Sequence, residues 1–289
     1  MPAILRQVIP PETYNQYHVN MTLENEVIKE IVSANAEAMY NDAAQPSVRV
    51  VGKALAQCVS LFVTPAGKVA EILEKNLNKY IDKLGKLKEE EIVSPNTRIL
   101  VPILERMRYT DDELVSDYYA QILATASTVE SAHKVSVAFI EILNRLCADE
   151  LKILEFINSP QNSIVLTGED GKTYSTNLSG VLPVINVHIN QKGGGYIVAI
   201  RNLAYLTEGP SLDYPGNWNM YLDNMLALGL LLKPAMIRAH DDNIYKLIKQ
   251  NPAIKEVEKG LQEGQSIDFS EARIETTELG KQLLGIALR

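Results

Sequence analysis

Cysteine, histidine and tryptophan are scarce in this chain of 289 residues, which contains two, four and one of them. A disulfide-stabilised scaffold has more cysteines in a shorter chain. We therefore interpret Cys58 and Cys147, which both stand among apolar residues, as buried free thiols in a reducing compartment. The histidines form no i, i+4 pair and stand far from both cysteines: they are His18, His133, His188 and His240. This pattern indicates neither a zinc site nor a Cys–His nucleophile.

Long hydrophobic runs are also absent. A membrane-spanning helix needs about 18 or more consecutive apolar residues, and the nearest candidate, Ala54–Val63, is shorter and contains Gln57. The first residues carry no apolar segment of the kind found in signal peptides. We therefore expect a cytoplasmic protein without transmembrane helices.

Phosphate-binding loops and catalytic constellations are not recognisable either. The one glycine cluster, Gly193–Gly195, precedes a strand-like run and lacks the spacing of a nucleotide-binding loop, so it predicts a hairpin tip. The acidic run Asp111–Glu113 could hold a cation, although capping of a helix explains it more simply. We accordingly predict no catalytic residues, no cofactor and no metal ion, and a protein that is not an enzyme.

Positive charge is in deficit, with 28 Lys and Arg against 36 Asp and Glu and a net charge of −8. Both parts of the chain, divided at Cys147, share this deficit equally. Proteins that bind nucleic acid through its phosphates usually carry a basic patch. The balance of charge therefore disfavours a nucleic-acid partner.

The first half of the chain has the periodicity of helices. Residues 1–21 predict an irregular arm, and helices are expected from Thr22 to about Met39 and from Ser47 to Val63. A longer helix is predicted from Pro65 to about Glu90, with a heptad-like seam of apolar residues. The seam consists of Val69, Leu73, Leu77, Tyr80, Leu84 and Leu87. We expect a homo-oligomer to form along this seam, through residues 69–87.

A face beside the seam carries regularly spaced lysines, which are Lys75, Lys79, Lys83 and Lys86. One interpretation is a solvated face with ion pairs to the interspersed Glu71, Glu74 and Asp82. The alternative is a partner-binding surface that touches another chain or anionic lipid. The acidic run at residues 89–91 weakens the lipid version, so contact with a membrane surface stays an alternative.

The centre of the chain, from Thr110 to Ile157, predicts three packed amphipathic helices. A short helix that contains Pro102 is expected just before it, from Arg98 to Arg108. Thr110–Glu113 has the pattern of a capping box, with Thr110 as the cap. Ser131 is expected to open the second helix and Asp149-Glu150 the third.

Strand-like runs follow the central helices. They are Ser163–Thr167, Gly180–Ile189, Tyr196–Ile200, Leu230–Pro234, Met236–Ala239 and Ile267–Ile274, with helices at Pro215–Leu228 and Leu279–Leu288. Two helices, a strand pair and a final helix are the order of a winged-helix module. We therefore predict a mainly α protein with a smaller α+β part. A helical bundle (residues 22–146) precedes a winged-helix-like domain (147–289) with a β-rich insertion around residues 160–205.

The predicted helix at the recognition position, residues 214–228, contains neither lysine nor arginine. A helix that reads DNA normally stands among cations that contact phosphates. We therefore interpret the module as a protein-interaction unit in which Trp218 and Tyr221 are candidate partner-binding residues, although packing of both side chains inward is the alternative.

Several segments, in this order, resemble the abortive infection alpha family of bacterial proteins. They are Val51–Leu55, Pro95–Thr110, Asp112–Ala124, Phe139–Leu143, Asp149–Leu154 and Glu275–Leu284. The resemblance extends over about residues 50–289. The family often has His-Pro before its Phe-led helix, where this chain has Ser136-Val137 and places His133 three residues earlier. A role for that histidine is therefore in doubt here.

The resemblance implies a bacterial cytoplasmic protein that takes part in defence against phage, and it supplies no catalytic residue. Combined with the missing catalytic pattern, it predicts a non-enzymatic abortive infection factor that contacts a phage or host protein. Two alternatives stay open. One is a winged-helix regulator that binds nucleic acid, and the other is a peripheral effector on a membrane surface.

Overall fold

The computed structural model describes residues 68–160, 162–167, 173–204, 209–235, 237–239 and 242–287. The fold is mainly helical with a four-stranded antiparallel sheet. It divides into a first unit, Met1–Asn144 with Ile286–Arg289, and a second unit, Arg145–Gly285. The arm predicted at residues 1–21, the helices predicted at 22–39 and 47–63, and Cys58 lie outside the described residues.

The first unit is built from helices whose apolar faces meet in one core. They are α1 (Lys68–Leu84), α2 (Thr97–Met107), α3 (Glu113–Ala126) and α4 (Val137–Leu143). Helix α3 is central: it contacts α1, α2 and α4, and eleven of its fourteen residues are buried. Burial of side chains such as Ile103 and Leu123, which are fully inaccessible, supplies the main driving force for this packing.

Five of the six predicted seam residues lie on α1 and pack within the chain, whereas Leu87 lies beyond the end of the helix at Leu84. Tyr80 and Leu84 are buried, and Val69, Leu73 and Leu77 are half-buried. The Tyr80 hydroxyl is 2.7 Å from the hydroxyl of Ser127, the residue that follows α3. Burial raises the pKa of Tyr80, so this phenol stays neutral at physiological pH. The homo-oligomer along residues 69–87 stays a prediction.

A buried asparagine that the apolar pattern does not reveal joins α1 to the end of α2. Asn76 donates from Nδ2 to the carbonyl oxygens of Met107 and Thr110, at 2.8 and 2.7 Å. The Met107 carbonyl lies at the C-terminus of α2, where carbonyls have no partner inside the helix. The helix predicted around Pro102 is confirmed, and the Asn96 side chain caps it by accepting from the Arg98 N–H.

The cap of α3 differs from the prediction. The helix begins at Glu113, and Asp112 is its cap, because its side chain accepts from the Val115 N–H at 2.9 Å. Thr110 donates instead to the Arg106 carbonyl at the end of α2. The predicted capping box with Thr110 as the cap is therefore wrong by two residues.

The second central helix also begins later than predicted. Residues Ala132–Lys134 form a single 3-10 turn, and α4 follows with Ser136 as its cap. The Ser136 hydroxyl accepts from the Ala138 N–H. The opening of the third helix at Asp149-Glu150 is confirmed, since α5 spans Ala148–Asn158.

The second unit contains the sheet and the remaining helices. In chain order they are α5 (Ala148–Asn158), β1 (Ser163–Thr167), β2 (Thr173–Asn177), β3 (Val181–Asn190), β4 (Tyr196–Ala204), α6 (Trp218–Ala227), β5 (Leu231–Leu232), α7 (Asp242–Ile248), α8 (Pro252–Lys259), β6 (Ser266–Thr276) and α9 (Glu278–Ala287). Strands β1 and β2 form a separate hairpin.

The larger sheet has the order β4-β3-β6-β5 and is antiparallel throughout. Strand β4 is therefore one edge. The face of β3 that carries Ile185 and Val187 forms a core with α7 and α8, through Ile244, Tyr245 and Ile254. Neither helix was predicted. The strand predicted at Met236–Ala239 is wrong for residues 237–239, which have no regular structure.

Candidate functional site

The predicted lysine face of α1 is turned toward α3. Lys75 and Lys79 place their Nζ atoms 2.6 and 2.7 Å from the two carboxylate oxygens of Glu113, and Lys83 pairs with Asp117 at 3.0 Å. Lys86 lies exposed in the turn after α1. The carboxylates of these ion pairs lie on α3, whereas the sequence suggested the acids interspersed on α1. Three of the four candidate partner-binding lysines thus make ion pairs within the first unit.

Replacement of Glu113 by glutamine tests how much the ion pairs of Lys75 and Lys79 with Glu113 stabilise the fold. Hydrogen bonds from Lys75 and Lys79 lower the pKa of Glu113 to about 2. A lowered folded-state pKa means that the pairing stabilises the fold above the usual pKa of 4.5 and is lost as the pH falls toward 2. The carboxylate is 68% exposed, so we expect Glu113→Gln to cost less than about 1 kcal/mol at pH 7.

The measurement is chemical denaturation of both proteins at several pH values and two salt concentrations. The difference in unfolding free energy should shrink in high salt and vanish at acidic pH. A difference that survives both changes would contradict the electrostatic account. Glu105→Gln, an exposed carboxylate on α2, is the control.

Tyr221, a predicted partner-binding residue, is buried and serves the second unit instead. Its hydroxyl donates to Oδ2 of Asp149 at 2.9 Å. Asp149 is only 3% exposed and also accepts from the backbone N–H groups of Asp213 and Tyr214, each at 2.9 Å. The Nζ atom of Lys152 lies 3.3 Å from Oδ1 of Asp149 and forms an ion pair with it. A buried carboxylate thus joins α5, α6 and the segment before α6.

A second polar contact runs along the same two helices. Asn224 of α6 donates to Oε1 of Glu150 at 2.7 Å and to the Arg145 carbonyl at 3.0 Å. The other oxygen of Glu150 accepts from the Cys147 N–H. Cys147 itself is exposed, so its prediction as a buried thiol is wrong, although partial burial still raises the pKa of the thiol.

Trp218, the other predicted residue, contacts a polar cluster on the edge strand. Its indole N–H donates to the carbonyl oxygen of Asn202 at 3.0 Å. Asn202 is 3% exposed and has a φ of 47°, the left-handed region that asparagine tolerates better than most residues. Its N–H donates to Oδ1 of Asn186, and its Nδ2 donates to Oδ1 of Asn219. We call these four residues with Lys233 the Asn202 cluster.

The conformation of Asn202 follows from an irregularity in β4. The pairing with β3 shifts register between Ile185 and Val187, so Arg201 and Asn202 both lie opposite Asn186. Such a bulge turns side chains away from the regular alternation. Non-glycine residues in the left-handed region cluster at functional sites, where surrounding contacts hold them in place.

Lys233 completes the cluster. Its Nζ donates to Oδ1 of Asn202 at 2.7 Å, and the side chain is half-buried. Burial lowers its pKa, the charge of Arg201 lowers it further, and Asp223 partly opposes this. Arg201 and Asp223 form a bidentate pair at 2.7 and 2.8 Å. A cation therefore stands against a neutral oxygen beside a second cation that is already paired.

The tip of the β3–β4 hairpin exposes apolar side chains. Residues 192–199 are all exposed, and Tyr196, Ile197 and Val198 are accessible at 61%, 55% and 46%. Tyr196 lies edge-on to His188, with ring centroids 4.5 Å apart. The predicted glycine turn is confirmed, since Gly194 and Gly195 have positive φ and the Gln191 N–H donates to the Gly195 carbonyl. Consecutive exposed apolar residues on an edge strand are typical of contact surfaces.

Comparison with known proteins identifies the family. Residues 69–287 match the family model described as abortive infection alpha. The chain belongs to this family. The α1 lysine face, the Asp149 contacts, the Asn202 cluster and the hairpin tip all lie within the matched part of this abortive infection alpha protein. No curated protein matches its sequence.

One solved structure is similar to part of the chain. It is described as an uncharacterized protein from the hydrocarbon-degrading marine bacterium Alcanivorax borkumensis SK2. The identity is 16%, and the match covers 56% of the abortive infection alpha chain and 98% of the other, with a TM-score of 0.31. This likeness is too weak to support an inference about fold or function.

Two wider properties concern the part of this abortive infection alpha protein that the structure describes. Its helices include none with the length and apolar character that crossing a bilayer requires. Within the same residues, no group of three or more His, Cys, Asp or Glu side chains could hold a metal ion.

The sequence of this abortive infection alpha protein does not by itself reveal that Asp149, Asn202 and Lys233 belong to polar clusters. Asp149 was interpreted as a helix-opening residue, which it also is. Asn202 stands next to Arg201 inside an apolar strand pattern, and a polar pair there is the one local hint of a bulge. Lys233 follows three leucines, and nothing in its sequence surroundings indicates a polar cluster.

Proposed function

We propose that this protein is a bacterial anti-phage factor that acts by contact with another protein and not by catalysis. Its membership in the abortive infection alpha family supports the defence role. The observation that supports the contact mechanism is the exposed apolar tip of the β3–β4 hairpin. Three adjacent apolar residues there are roughly half accessible, which is costly unless a partner covers them.

The occupied state of the polar groups around α6 supports a non-enzymatic mechanism. Both carboxylate oxygens of Asp149 accept hydrogen bonds from neighbouring groups of the chain. Glu150 is likewise engaged at both oxygens. A general acid or base needs a carboxyl that can reach a substrate proton, and these two are committed to holding α5 and α6 together.

The order α6, β5, β6, α9, in which α7 and α8 are inserted between β5 and β6, is the part of the fold that favours a winged-helix-like module, and we keep that description for the second unit as part of the proposal. In such a module, α6 would occupy the recognition position. Its polar residues are already bonded within the chain: Asn219 to Asn202, Asp223 to Arg201 and Asn224 to Glu150. This favours a protein-interaction module over one that reads DNA bases.

The surface of α1 has a weaker claim as the contact site. Lys75 and Lys79 share the carboxylate of Glu113, and Lys83 pairs with that of Asp117. Charge that is partly neutralised in this way attracts an anionic surface less strongly. We therefore propose that the phage or host protein partner binds at the hairpin tip. We further propose that the two proteins meet in the cytoplasm.

A double variant, Tyr196→Ser with Ile197→Ser, tests the proposal in bacteria that express the protein and are challenged with a broad phage panel. Apolar contacts at the centre of an interface cost at least about tenfold in affinity when removed. We expect the unaltered protein to reduce phage plating and the double variant to lose most of this protection. Both side chains are exposed, so the fold should survive, which thermal unfolding checks.

Val165→Ser is the matched control, because this side chain is 58% exposed on another strand. It should protect as well as the unaltered protein. Unchanged plating on the whole panel with the unaltered protein would overturn the defence role. Full protection by the double variant would overturn the hairpin contact while leaving the defence role intact.

A further inference from the structure

Half-buried lysines in the described part of the chain have carboxylate partners, with one exception. Among the described lysines, Lys79, Lys83, Lys152, Lys233 and Lys249 are half-buried. Four of them lie within ion-pairing distance of an aspartate or glutamate, at 2.7 to 3.3 Å. For Lys233, the described residues provide the neutral Oδ1 of Asn202 at 2.7 Å and no carboxylate within that distance. A desolvated cation without an anion is costly to maintain.

The amine of Lys233 is held in a fixed place by its acceptor. Asn202 uses its backbone N–H, backbone carbonyl and side-chain Nδ2 in three other hydrogen bonds, to Asn186, Trp218 and Asn219. These bonds leave Oδ1 pointing in one direction, toward Lys233. An ammonium group has three N–H donors, and the bond to Asn202 uses one of them.

Local charge around this amine is positive. Arg201 acts on Lys233 strongly enough to lower the pKa of the amine, which partial burial has already lowered. Asp223 forms a bidentate pair with Arg201. The two cations and one carboxylate leave a net positive charge at the edge of the sheet, where the side chain of Lys233 is accessible in part.

We propose that the Asn202 cluster is a binding site for a small oxyanion, such as a phosphate or carboxylate group, which the ammonium group of Lys233 binds beside Arg201. The N–H donors that Lys233 does not give to Asn202 are directed to the oxyanion. Because Lys presents a compact point charge, it suits the oxygens of phosphate or carboxylate equally. The proposal is independent of the hairpin contact, which involves other residues.

Trp218 makes this site directly measurable. It is the one tryptophan in the chain, and its indole N–H donates to Asn202. Titration of the full-length protein with inorganic phosphate, acetate and chloride at constant ionic strength should give a saturable change in tryptophan emission with phosphate, acetate or both. Chloride should give none. The comparison between phosphate and acetate identifies the preferred oxyanion.

Lys233→Met keeps the unbranched side chain, shorter by one atom, and removes its charge. It should weaken oxyanion binding by about tenfold or more, the loss expected from one charge-assisted hydrogen bond. Lys246→Met is the matched control, since Lys246 also donates to an asparagine oxygen, on Asn243, but is exposed. Binding by this control should equal that of the unaltered protein.

A second measurement tests the site even if Lys233→Met unfolds the protein or if the emission of Trp218 does not respond to binding. The unaltered protein is labelled with an amine-reactive anhydride, with and without phosphate or acetate, and the modified lysines are quantified by mass spectrometry. An oxyanion should protect Lys233 and leave Lys246 unprotected. Equal labelling of Lys233 with and without oxyanion, or binding that survives Lys233→Met, would overturn the site.

Discussion

Replacement of Asp149 by alanine is expected to destabilise the second unit by about 3 kcal/mol. The carboxylate is buried, and the substitution leaves the N–H groups of Asp213 and Tyr214 and the hydroxyl of Tyr221 without their acceptor. Buried donors that lose their partner cost about 1–3 kcal/mol each. Partial rearrangement of the exposed segment around Asp213 lets water reach some of them, which keeps the total near the lower end of their sum.

Tyr221→Phe separates one part of this effect. It removes the phenolic donor and keeps the ring, so we expect a loss of about 1 kcal/mol. The two remaining backbone donors and Lys152 still satisfy Asp149. The ratio of the two effects distinguishes a network organised by the carboxylate from a set of independent contacts.

The contribution of Asp149 also depends on pH in a defined direction. Burial alone would raise the pKa of Asp149, but hydrogen bonds from Asp213, Tyr214 and Tyr221 outweigh burial and lower it. The unfolded state therefore takes up a proton before the folded state does. The stabilisation is complete above the usual aspartate pKa and is lost as the pH falls from there through the lowered pKa of the folded state, so wild type and Asp149→Ala should converge in stability in acid.

Urea denaturation followed by tryptophan fluorescence provides the measurement, since Trp218 lies in the second unit and reports its unfolding. Asp268→Ala is the control, because Asp268 is exposed on β6, and it should change the unfolding free energy by less than about 0.5 kcal/mol. A loss of less than 1 kcal/mol for Asp149→Ala, with unchanged dependence on urea, would show that the network contributes little.

Most of the described helices of the first unit, with α5 and α9, could be predicted because their information is local. Apolar residues at helical spacing identified α1, α2 and α3, and the acidic pair Asp149-Glu150 identified the start of α5. The exact cap of α3 could not be predicted. Thr110 and Asp112 both have capping side chains, and Thr110 is drawn to the Arg106 carbonyl of the preceding helix.

Helices α7 and α8 were missed for a tertiary reason. They have seven and eight residues, too few for a helical period to stand out. Their apolar residues Ile244, Tyr245 and Ile254 are held by the face of β3 that carries Val187. Tyr245 further donates to the Ala272 carbonyl of β6. Contacts with the sheet specify these helices, and a local pattern does not contain them.

The polar clusters escape prediction because their members are distant in sequence. Asp149 and Tyr221 are 72 residues apart, and Asn202 and Lys233 are 31 apart. Trp218 and Tyr221 could be singled out by residue type, but only the structure shows that both donate hydrogen bonds to other residues of the second unit. The ion pairs of α1 follow the same rule: the lysines were evident, and their partners on α3 were not.

Gly280 lies in Glu275–Leu284, one of the segments that resemble the family. Replacement of Gly280 by alanine should destabilise the protein by about 2 kcal/mol. A Cβ built there would stand 2.6 Å from the Leu230 carbonyl oxygen and 2.9 Å from the Thr276 methyl group. The carbonyl cannot easily retreat, because it accepts from both the N–H and the hydroxyl of Thr277. Alanine favours a helix by up to about 1 kcal/mol over glycine, which the clash exceeds.

Gly285→Ala is the matched variant, in the same helix but with open space around the added carbon. It should be neutral or stabilise the protein by up to about 1 kcal/mol. Thermal unfolding of both variants decides the case: opposite signs support close approach of α9 to the carbonyl of Leu230, whereas equal effects would mean that helix propensity alone controls both sites. If the signs are opposite, Thr277 acts as the cap of α9 and Gly280 allows the helix to approach Leu230 closely. This would explain why threonine and glycine stand three residues apart at the start of α9.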